Sequence, residues 1–316
     1  MAQQHKFQRF FDSSGFGTQV GKSGQRLMNR DGSFNTERRG LSFFQSLHIY
    51  HWLITMPWTW FLCLVFAVFL AANFLFAGIY YAIGTEYLGI DQTHSVWMRF
   101  WEVFFFSTQT FTTVGYGRVN PQGLLTGAIA SIEALIGLLA FALATGLMYG
   151  RFARPRANII FSSHALISPY KEGIGLMFRI VHINQSQVID AEATVILSMV
   201  ERMPEGDMRR NFYPLELERK HITFFTQPWT LVHPITEQSP IWGMNEKQFR
   251  AARGEIIILI KGYDDTFDNM IHARSSYIAD EFVWNAKFVS IITPSEKVFL
   301  GFDIHRIDEF IQLPPA

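Results

Sequence analysis

Five consecutive residues near the middle of the chain have the types and order needed to bind a dehydrated cation: Thr113, Val114, Gly115, Tyr116 and Gly117. A cation that leaves its water shell needs other oxygen atoms, and backbone carbonyls facing one axis supply them without adding formal charge. Because Gly115 and Gly117 can adopt backbone angles closed to other residues, successive carbonyls can face the same way. The Thr113 hydroxyl adds a further oxygen, whereas Val114 and Tyr116 would turn their side chains away from the axis. The segment therefore predicts a cation-coordinating loop.

Two long apolar segments flank this loop. Residues 58–83 carry no formal charge, and residues 124–150 carry only Glu133. Both exceed the roughly 20 apolar residues that span about 30 Å of hydrocarbon, so we expect an outer and an inner transmembrane helix. Gly and Ala recur along the inner segment and let neighbouring helices approach closely, which predicts that the inner helix forms the bundle.

Residues 97–111 precede the loop and are aromatic and compatible with a helix. Together with residues 113–117 they are too short to cross the bilayer and return, so we expect a re-entrant pore helix followed by the loop. Irregular backbone at membrane depth is tolerated only where it lines a cavity or is buried in protein. One chain alone therefore cannot enclose such a loop, and further copies must supply the other walls.

Basic residues are distributed unevenly about the two spans. Seven lie in residues 1–40, Arg151, Arg154 and Arg156 follow the inner span, and two lie between the spans. The positive-inside bias therefore predicts that both termini are cytoplasmic. Because residues 1–40 are polar, we expect them to form a cytoplasmic segment rather than a signal peptide.

The second half of the chain, residues 157–316, alternates apolar and polar residues over short stretches separated by Gly, Pro, Asp and Asn. That pattern favours an all-β sandwich. Only residues 245–253 are typical of a helix. The predicted strands are residues 158–167, 176–183, 188–199, 221–225, 255–260, 286–293 and 297–302.

Composition argues against several classes of function. The 316 residues are 49% hydrophobic, which is too apolar for a disordered chain. Lys and Arg total 27, as do Asp and Glu, so the zero net charge argues against wholesale nucleic-acid binding. Cys63 is the only cysteine, which excludes an intramolecular disulfide and a CxxC metal site. Neither an HExxH pair nor a GxSxG motif occurs, so an enzyme is the least supported class.

The string TVGYG at residues 113–117, placed between two membrane spans, resembles the potassium-channel signature. Over about residues 41–310 the chain resembles the inward-rectifier potassium channels, and most of all their prokaryotic branch. The strings that carry this wider resemblance are RFARPRA at 151–157, LMFRIVHIN at 176–184, WTLVHPI at 229–235, SPIWG at 239–243 and HARSSYIADEFVW at 272–284.

The resemblance implies a homotetramer that conducts K⁺ passively, with K⁺ held by the backbone carbonyls of residues 113–116 and with no cofactor. Each subunit would consist of a two-helix transmembrane pore domain over residues 56–156 and an immunoglobulin-like β-sandwich over residues 157–316 that extends the pore. The prokaryotic likeness further implies location in a bacterial inner membrane.

Residues 41–55 place most of their large apolar side chains near one face. This amphipathic pattern ahead of a membrane span is typical of an interfacial helix, which the resemblance equates with the slide helix of the family. A buried connector is the alternative interpretation.

The resemblance also assigns roles at the cytoplasmic end of the inner helix. Arg151, Arg154 and Arg156 occupy positions that bind anionic lipid head groups, and plain positive-inside anchoring is the alternative. Tyr149 occupies the position of an inner gate, where bulky side chains can close a pore by excluding water. An aromatic anchor at the membrane interface is the alternative for Tyr149.

Three positions depart from the family pattern or stand out within it. Phe141 occupies the pore-cavity position where strong rectifiers hold Mg²⁺ or polyamine blockers with an acid, so strong rectification is not expected. Gln109 replaces an acid behind the filter, so a contact between Gln109 and Arg118 would lack ion-pair character. Glu133 is a lone intramembrane acid, for which we favour a hydrogen-bonding role behind the pore helix over pore lining.

Residues 262–272 match the loop that constricts the cytoplasmic pore in the family. Its acids Asp264, Asp265 and Asp268, with Asp190 on an earlier strand, could concentrate cations there. Ordinary solvated loop residues are the alternative interpretation.

The leading hypothesis is thus a tetrameric potassium-selective channel whose partners are three identical subunits and membrane lipid. A non-selective cation channel would keep the pore without the selectivity. A membrane-anchored β-domain sensor would leave the filter string unexplained.

Overall fold

The computed structural model describes residues 26–36, 49–153, 157–184, 187–202, 207–293 and 301–314. The chain divides into two compact units. The membrane unit comprises residues 40–154, and the β unit comprises residues 1–39 and 155–316. Arg154, Arg156 and residues 41–48 of the predicted interfacial helix lie outside the described residues.

The membrane unit is built from α-helices. They are α1 (Ile49–Thr55), α2 (Trp58–Ile83), α3 (Val96–Phe111) and α4 (Leu124–Phe152), with a 3₁₀ turn at Thr85–Leu88. Among the described residues, α2 and α4 are the helices long and apolar enough to cross a membrane, and little of either is buried within the chain. The expectation of two membrane helices is confirmed.

Local sequence explains where the helices begin and end. Helix α2 begins after Pro57, whose fixed φ suits a first turn, and ends at Gly84, whose φ of 127° is one that other residues rarely adopt. Helix α3 begins after Ser95, whose side chain accepts a hydrogen bond from the amide of Met98 at 3.3 Å. This N-cap satisfies one of the free amides of the first turn.

Aromatic side chains fix α3 against its neighbours. Tyr80 of α2 lies edge-on to Phe106 of α3 with ring centroids 5.2 Å apart, and Phe74 lies 4.7 Å from Phe104. Such ring pairs add to the free energy gained by burying apolar area. The buried cluster consists of Phe76, Ala77, Tyr80, Leu88, Ile90, Val103, Phe104 and Phe106.

The described part of the β unit contains two five-stranded sheets. One contains β1 (Ile159–Phe161), β2 (Ala165–Tyr170), β3 (Gly173–His182), β7 (Trp229–Ile235) and β10 (Phe282–Trp284). The other contains β4 (Val188–Arg202), β5 (Met208–Pro214), β6 (His221–Phe224), β8 (Glu255–Asp264) and β9 (Asn269–Ile278). Short pairs join β11 (Ala286–Phe288) to β14 (Phe310–Gln312) and β12 (Ile292–Thr293) to β13 (Gly301–Phe302), and α5 spans Glu246–Ala251.

Pairing is mostly antiparallel. Strand β3 pairs with β1, β2 and β7, and β2 also pairs with β10 in parallel, whereas the second sheet has the order β5-β4-β8-β9 with β6 beside β4. Apolar side chains from both sheets meet in one buried core. The most deeply buried include Phe178, Ile180, Leu197, Leu231, Ile256 and Ile258. The all-β fold class predicted for this half is confirmed.

Some sequence-based element assignments differ from the structure. Residues 286–293 form β11 and β12 rather than one strand. Residues 158–167 form two strands rather than one, because the Ser162 hydroxyl donates to the His164 carbonyl at 2.9 Å and turns the chain there. Residues 262–272 are largely a β-hairpin rather than a loop, with Asp264 opposite Asn269. The Asp264 carboxylate accepts hydrogen bonds from the amides of Thr266 at 3.0 Å and Phe267 at 3.3 Å, which closes a tight turn.

Candidate functional site

The predicted cation-coordinating loop follows the C-terminal end of α3 and has an alternating backbone. Thr113, Gly115 and Gly117 have φ values of 61°, 56° and 79°, whereas the intervening Val114 and Tyr116 do not have positive φ. Left-handed backbone is open to glycine but uncommon for a β-branched residue, and such strain costs about 1–3 kcal/mol at a residue like Thr113. The strain persists only where the surrounding structure holds the residue in place.

Carbonyl groups in the last turns of α3 provide that restraint. The amides of Val114 and Gly115 both donate to the Gln109 carbonyl, at 2.9 and 3.4 Å, and the Thr113 amide donates to the Thr110 carbonyl at 3.0 Å. These carbonyls would otherwise be unpaired at a helix end. The start of the loop is therefore tied to α3 by backbone contacts alone.

A side-chain ion pair forms just beyond the loop. Arg118 donates from Nη2 to Oε1 of Glu102 at 2.7 Å, and Nδ1 of His94 lies 3.3 Å from Oε2 of the same carboxylate. From the sequence we considered a contact between Arg118 and Gln109, and the structure pairs the arginine with Glu102 instead. Glu102 lies seven positions before Gln109 in α3, and the available sequence signal was that it is the only acidic residue of this aromatic helix.

Helix α4 meets the end of α3 at Gly137. A Cβ atom on Gly137 would lie 1.9 Å from the carbonyl oxygen of Phe111, so the two backbones approach more closely than any side chain allows. Only glycine fits there without moving one of the helices. Phe111 is the last residue of α3 and lies two residues before Thr113, where the loop begins.

Glu133 lies one turn before Gly137 and is fully buried. Its Oε2 accepts a hydrogen bond from the Tyr80 hydroxyl at 2.7 Å, and its Oε1 lies 2.5 Å from the Ser107 hydroxyl. The Ser107 oxygen also lies 3.2 Å from Oδ1 and 3.3 Å from the carbonyl oxygen of Asn73. Glu133 thus joins α4 to both α2 and α3, which agrees with the favoured role behind the pore helix.

Two residues assigned to the ion pathway lie on the uncovered surface of α4. Phe141 is 73% exposed and Tyr149 is 75% exposed in the single chain. Large apolar side chains exposed in this way need a covering surface from lipid or from another chain.

Arg151 has a set of contacts that the sequence did not reveal. Its Nη2 donates to the Met56 carbonyl at 2.6 Å, and its Nη1 donates to the Leu53 carbonyl at the end of α1. The guanidinium also lies 4.6 Å from the Trp58 ring centroid and 4.5 Å from that of Phe61. Arg151 therefore ties the end of α4 to the junction of α1 and α2.

The predicted cytoplasmic acids fall into two groups. Asp190, Asp265 and Asp268 are exposed, and Oδ1 of Asp190 lies 3.5 Å from Nε2 of His221. Asp264 is only 1% exposed and caps its own turn, so it does not fit the interpretation as a solvent-facing charge. The structure brings Asp264, Asp265 and Asp268 together in one hairpin.

Residues 26–36 dock on the β unit, a contact that sequence reasoning missed. The carboxylate of Glu255, which is 1% exposed, accepts hydrogen bonds from the amides of Leu27 at 3.0 Å and Met28 at 3.2 Å. Arg210 pairs with the same carboxylate at 3.4 Å. Further contacts to the segment come from Arg274, Ser276 and Glu281.

Two helices long enough to cross a membrane, a loop between them held by backbone contacts, and an all-β unit are the architecture of a membrane ion channel. The family described as "Ion channel" matches residues 68–153, and the inward rectifier potassium channel C-terminal domain matches residues 159–315. The chain belongs to the inward rectifier potassium channel family, in its prokaryotic branch.

Individual relatives agree with this assignment. The inward rectifier potassium channel Kirbac3.1 of Paramagnetospirillum magnetotacticum is 35% identical over 91% of this chain and 96% of its own length. The G protein-activated inward rectifier potassium channel 2 of Mus musculus is 26% identical over 90% of this chain and 71% of its own length. The alignment with a solved structure of the Pseudomonas fluorescens alkylpurine DNA glycosylase AlkC covers 58% of this chain and 47% of the glycosylase chain. Its TM-score of 0.18 and sequence identity of 11% show no shared fold.

Proposed function

We propose that four copies of this chain form a potassium-selective channel in a bacterial inner membrane, with both termini in the cytoplasm. The observation that carries the proposal is the alternating left-handed backbone at Thr113, Gly115 and Gly117 in a TVGYG loop fixed to α3. Left-handed backbone at every second residue brings successive carbonyls to one side, as dehydrated K⁺ requires. The backbone carbonyls of Thr113, Val114, Gly115 and Tyr116 would hold K⁺, with no cofactor.

Large apolar side chains that a single chain leaves exposed support the proposed assembly of four copies. Val114 is 53% and Tyr116 is 78% exposed, although these side chains must brace the loop from outside. Phe141 and Tyr149 on α4 are uncovered as well. Neighbouring subunits arranged about a closed symmetry axis would pack against these surfaces and supply the remaining walls of the loop.

The inner gate is proposed at Tyr149, where four aromatic rings would exclude water near the cytoplasmic end of α4. Anionic lipid is proposed to bind at Arg151, Arg154 and Arg156. The carbonyls of Leu53 and Met56 occupy one donor on each terminal nitrogen of Arg151, so each of these two nitrogens keeps one further N–H for a phosphate oxygen.

Cytoplasmic block is expected to be weak. Phe141 offers no charge to Mg²⁺ or polyamines, so those blockers would rely on exposed acids such as Asp190, Asp265 and Asp268. Asp264 is buried and is not expected to contribute to cation attraction.

Cation uptake into liposomes of stated anionic lipid content tests the proposal. We expect Rb⁺ uptake that Ba²⁺ stops and that Na⁺ does not replace. Gly115→Ala should abolish uptake, because its φ of 56° strains any L side chain. Gly173→Ala is the matched control, since a Cβ at Gly173 meets nothing within 4 Å. Equal Na⁺ uptake would support a non-selective channel, and no uptake in any lipid from an assembled protein would support the sensor.

A further inference from the structure

Three helices meet at one buried carboxyl group, and the hydrogen-bond donors around it can be counted. Glu133 of α4 contacts the hydroxyls of Tyr80 on α2 and Ser107 on α3. Ser107 in turn contacts two oxygens of Asn73, at 3.2 and 3.3 Å. The Asn73 amide nitrogen is already used, because it donates to the Phe69 carbonyl at 2.7 Å.

An ionised carboxylate would leave this cluster short of protons. Ser107 has one hydroxyl proton but lies within hydrogen-bonding distance of three acceptors, namely Oε1 of Glu133 and the two Asn73 oxygens. If that proton went to Glu133, Oδ1 of Asn73 would face an oxygen lone pair at 3.2 Å. Buried acceptors left in that position cost free energy.

One additional proton gives a donor to the two shorter contacts of Ser107, those with Oε1 of Glu133 and with Oδ1 of Asn73. A protonated Glu133 donates to Ser107, Ser107 donates to Asn73, and Tyr80 donates to the other carboxyl oxygen. No lysine, arginine or histidine forms an ion pair with Glu133 among the residues that the structure describes. Tyr80 is the one other titratable group in the cluster. A charge at this depth without a counter-ion is costly in a membrane.

We propose that Glu133 carries its proton at neutral pH and is a positioning residue for the loop, acting as the hydrogen-bond donor that holds α3 to α2 and α4. The role in the loop rests on the proposed potassium-channel function, whereas the protonation state does not. Ser107 lies two residues before Gln109, whose carbonyl anchors the amides of Val114 and Gly115. A donor lost at Glu133 therefore loosens the helix that sets the loop backbone.

The infrared spectrum of the full-length protein in D₂O tests the protonation state directly. The difference between the wild type and Glu133→Gln should show the carbonyl stretch of a neutral carboxylic acid at neutral pH. A difference spectrum that contains only carboxylate bands would overturn the proposal, whether or not the protein conducts.

Uptake measurements test the positioning role. A glutamine can donate to Ser107 and accept from Tyr80, so Glu133→Gln should keep the wild-type Rb⁺ to Na⁺ uptake ratio within about twofold. Glu133→Leu and Ser107→Ala remove the donor relay and should lower that ratio about tenfold. Ser131→Ala is the control, because its hydroxyl bonds only within α4. If Glu133→Gln lost the ratio as fully as Glu133→Leu, with both assembled, the donor role would be refuted.

Discussion

Arg118, the first residue after the glycine-containing loop, lies with its Nη2 2.7 Å from Oε1 of Glu102, in the middle of α3. The loop is thus held at both ends by the same helix: by backbone carbonyls where it begins and by an ion pair where it ends. Because 76% of the arginine side chain but only 13% of the glutamate side chain is exposed, the carboxylate is the shielded partner.

Glu102→Gln should weaken Ba²⁺ block and lower the Rb⁺ to Na⁺ uptake ratio by a few-fold, since the outer end of the loop loses its restraint. The effect on stability should stay near 1 kcal/mol, because one partner is solvated. Uptake by Glu102→Gln, Arg118→Gln and the double variant measures the coupling between them. Strictly additive effects would show that the two residues are not coupled and would contradict a restraint by the ion pair.

Gly137→Ala should be strongly destabilising, because its Cβ would meet the Phe111 carbonyl at 1.9 Å. Forcing extra volume into a tight contact costs about 1–3 kcal/mol. Gly127→Ala on the same helix meets nothing within 4 Å and should be neutral or slightly stabilising. Thermal unfolding in detergent compares the two variants, and equal midpoints would contradict the close contact.

Tyr149→Ala should raise basal Rb⁺ uptake several-fold, because it removes the ring proposed to close the inner end of the pathway. Tyr149→Phe preserves the bulk of the ring and should behave like the wild type. Rb⁺ uptake by the wild type and the two variants is compared in liposomes without added anionic lipid. Unchanged uptake by the alanine variant would place the gate elsewhere.

Glu255→Gln should release residues 26–36 from the β unit. The buried carboxylate holds two backbone amides and Arg210, and breaking one side of a buried pair costs on the order of 3 kcal/mol. Limited proteolysis should then cut within residues 26–36 faster than in the wild type. Glu246→Gln removes an exposed charge that pairs with Arg250 and is the control.

The β unit should lose stability as the pH falls below about 6.5, partly through His233. Burial lowers the pKa of His233, which lies 2.6 Å from the Glu216 carbonyl and 2.8 Å from the Ser239 hydroxyl. The folded state thus binds fewer protons than the unfolded state, so stability is fully present above pH 6.5 and declines as the pH drops toward the lowered pKa. Unfolding midpoints measured against pH should fall less steeply in His233→Gln than in the wild type.

The sequence predicted the features that depend on runs of neighbouring residues, namely the membrane helices and the all-β class of the second half. Charge-free stretches such as residues 58–83 indicate membrane helices wherever they occur, and alternating apolar residues indicated the second half as all-β, which is confirmed. The roles of the individual loop, gate and lipid residues stay predictions. The sequence did not predict contacts between positions far apart in the chain. Arg151 with Met56 and Glu255 with Leu27 are examples, because only folding brings each pair together. The sequence did not predict strand β5 either, because its buried Arg210 interrupts the alternation of apolar and polar residues.

The close backbone contact at Gly137 holds one point of α4 against Phe111, so any tilt of α4 would turn about that point as a pivot. From Gly137 to Tyr149 the helix rises about 18 Å, so a tilt of 10° about the pivot would displace the tyrosine by about 3 Å. The Phe111 carbonyl, at the pivot itself, would hardly move. A wide swing at the Tyr149 end of α4 is therefore compatible with an unchanged backbone at Phe111. The absence of a side chain at Gly137 would let the two ends of the proposed pathway move by different amounts.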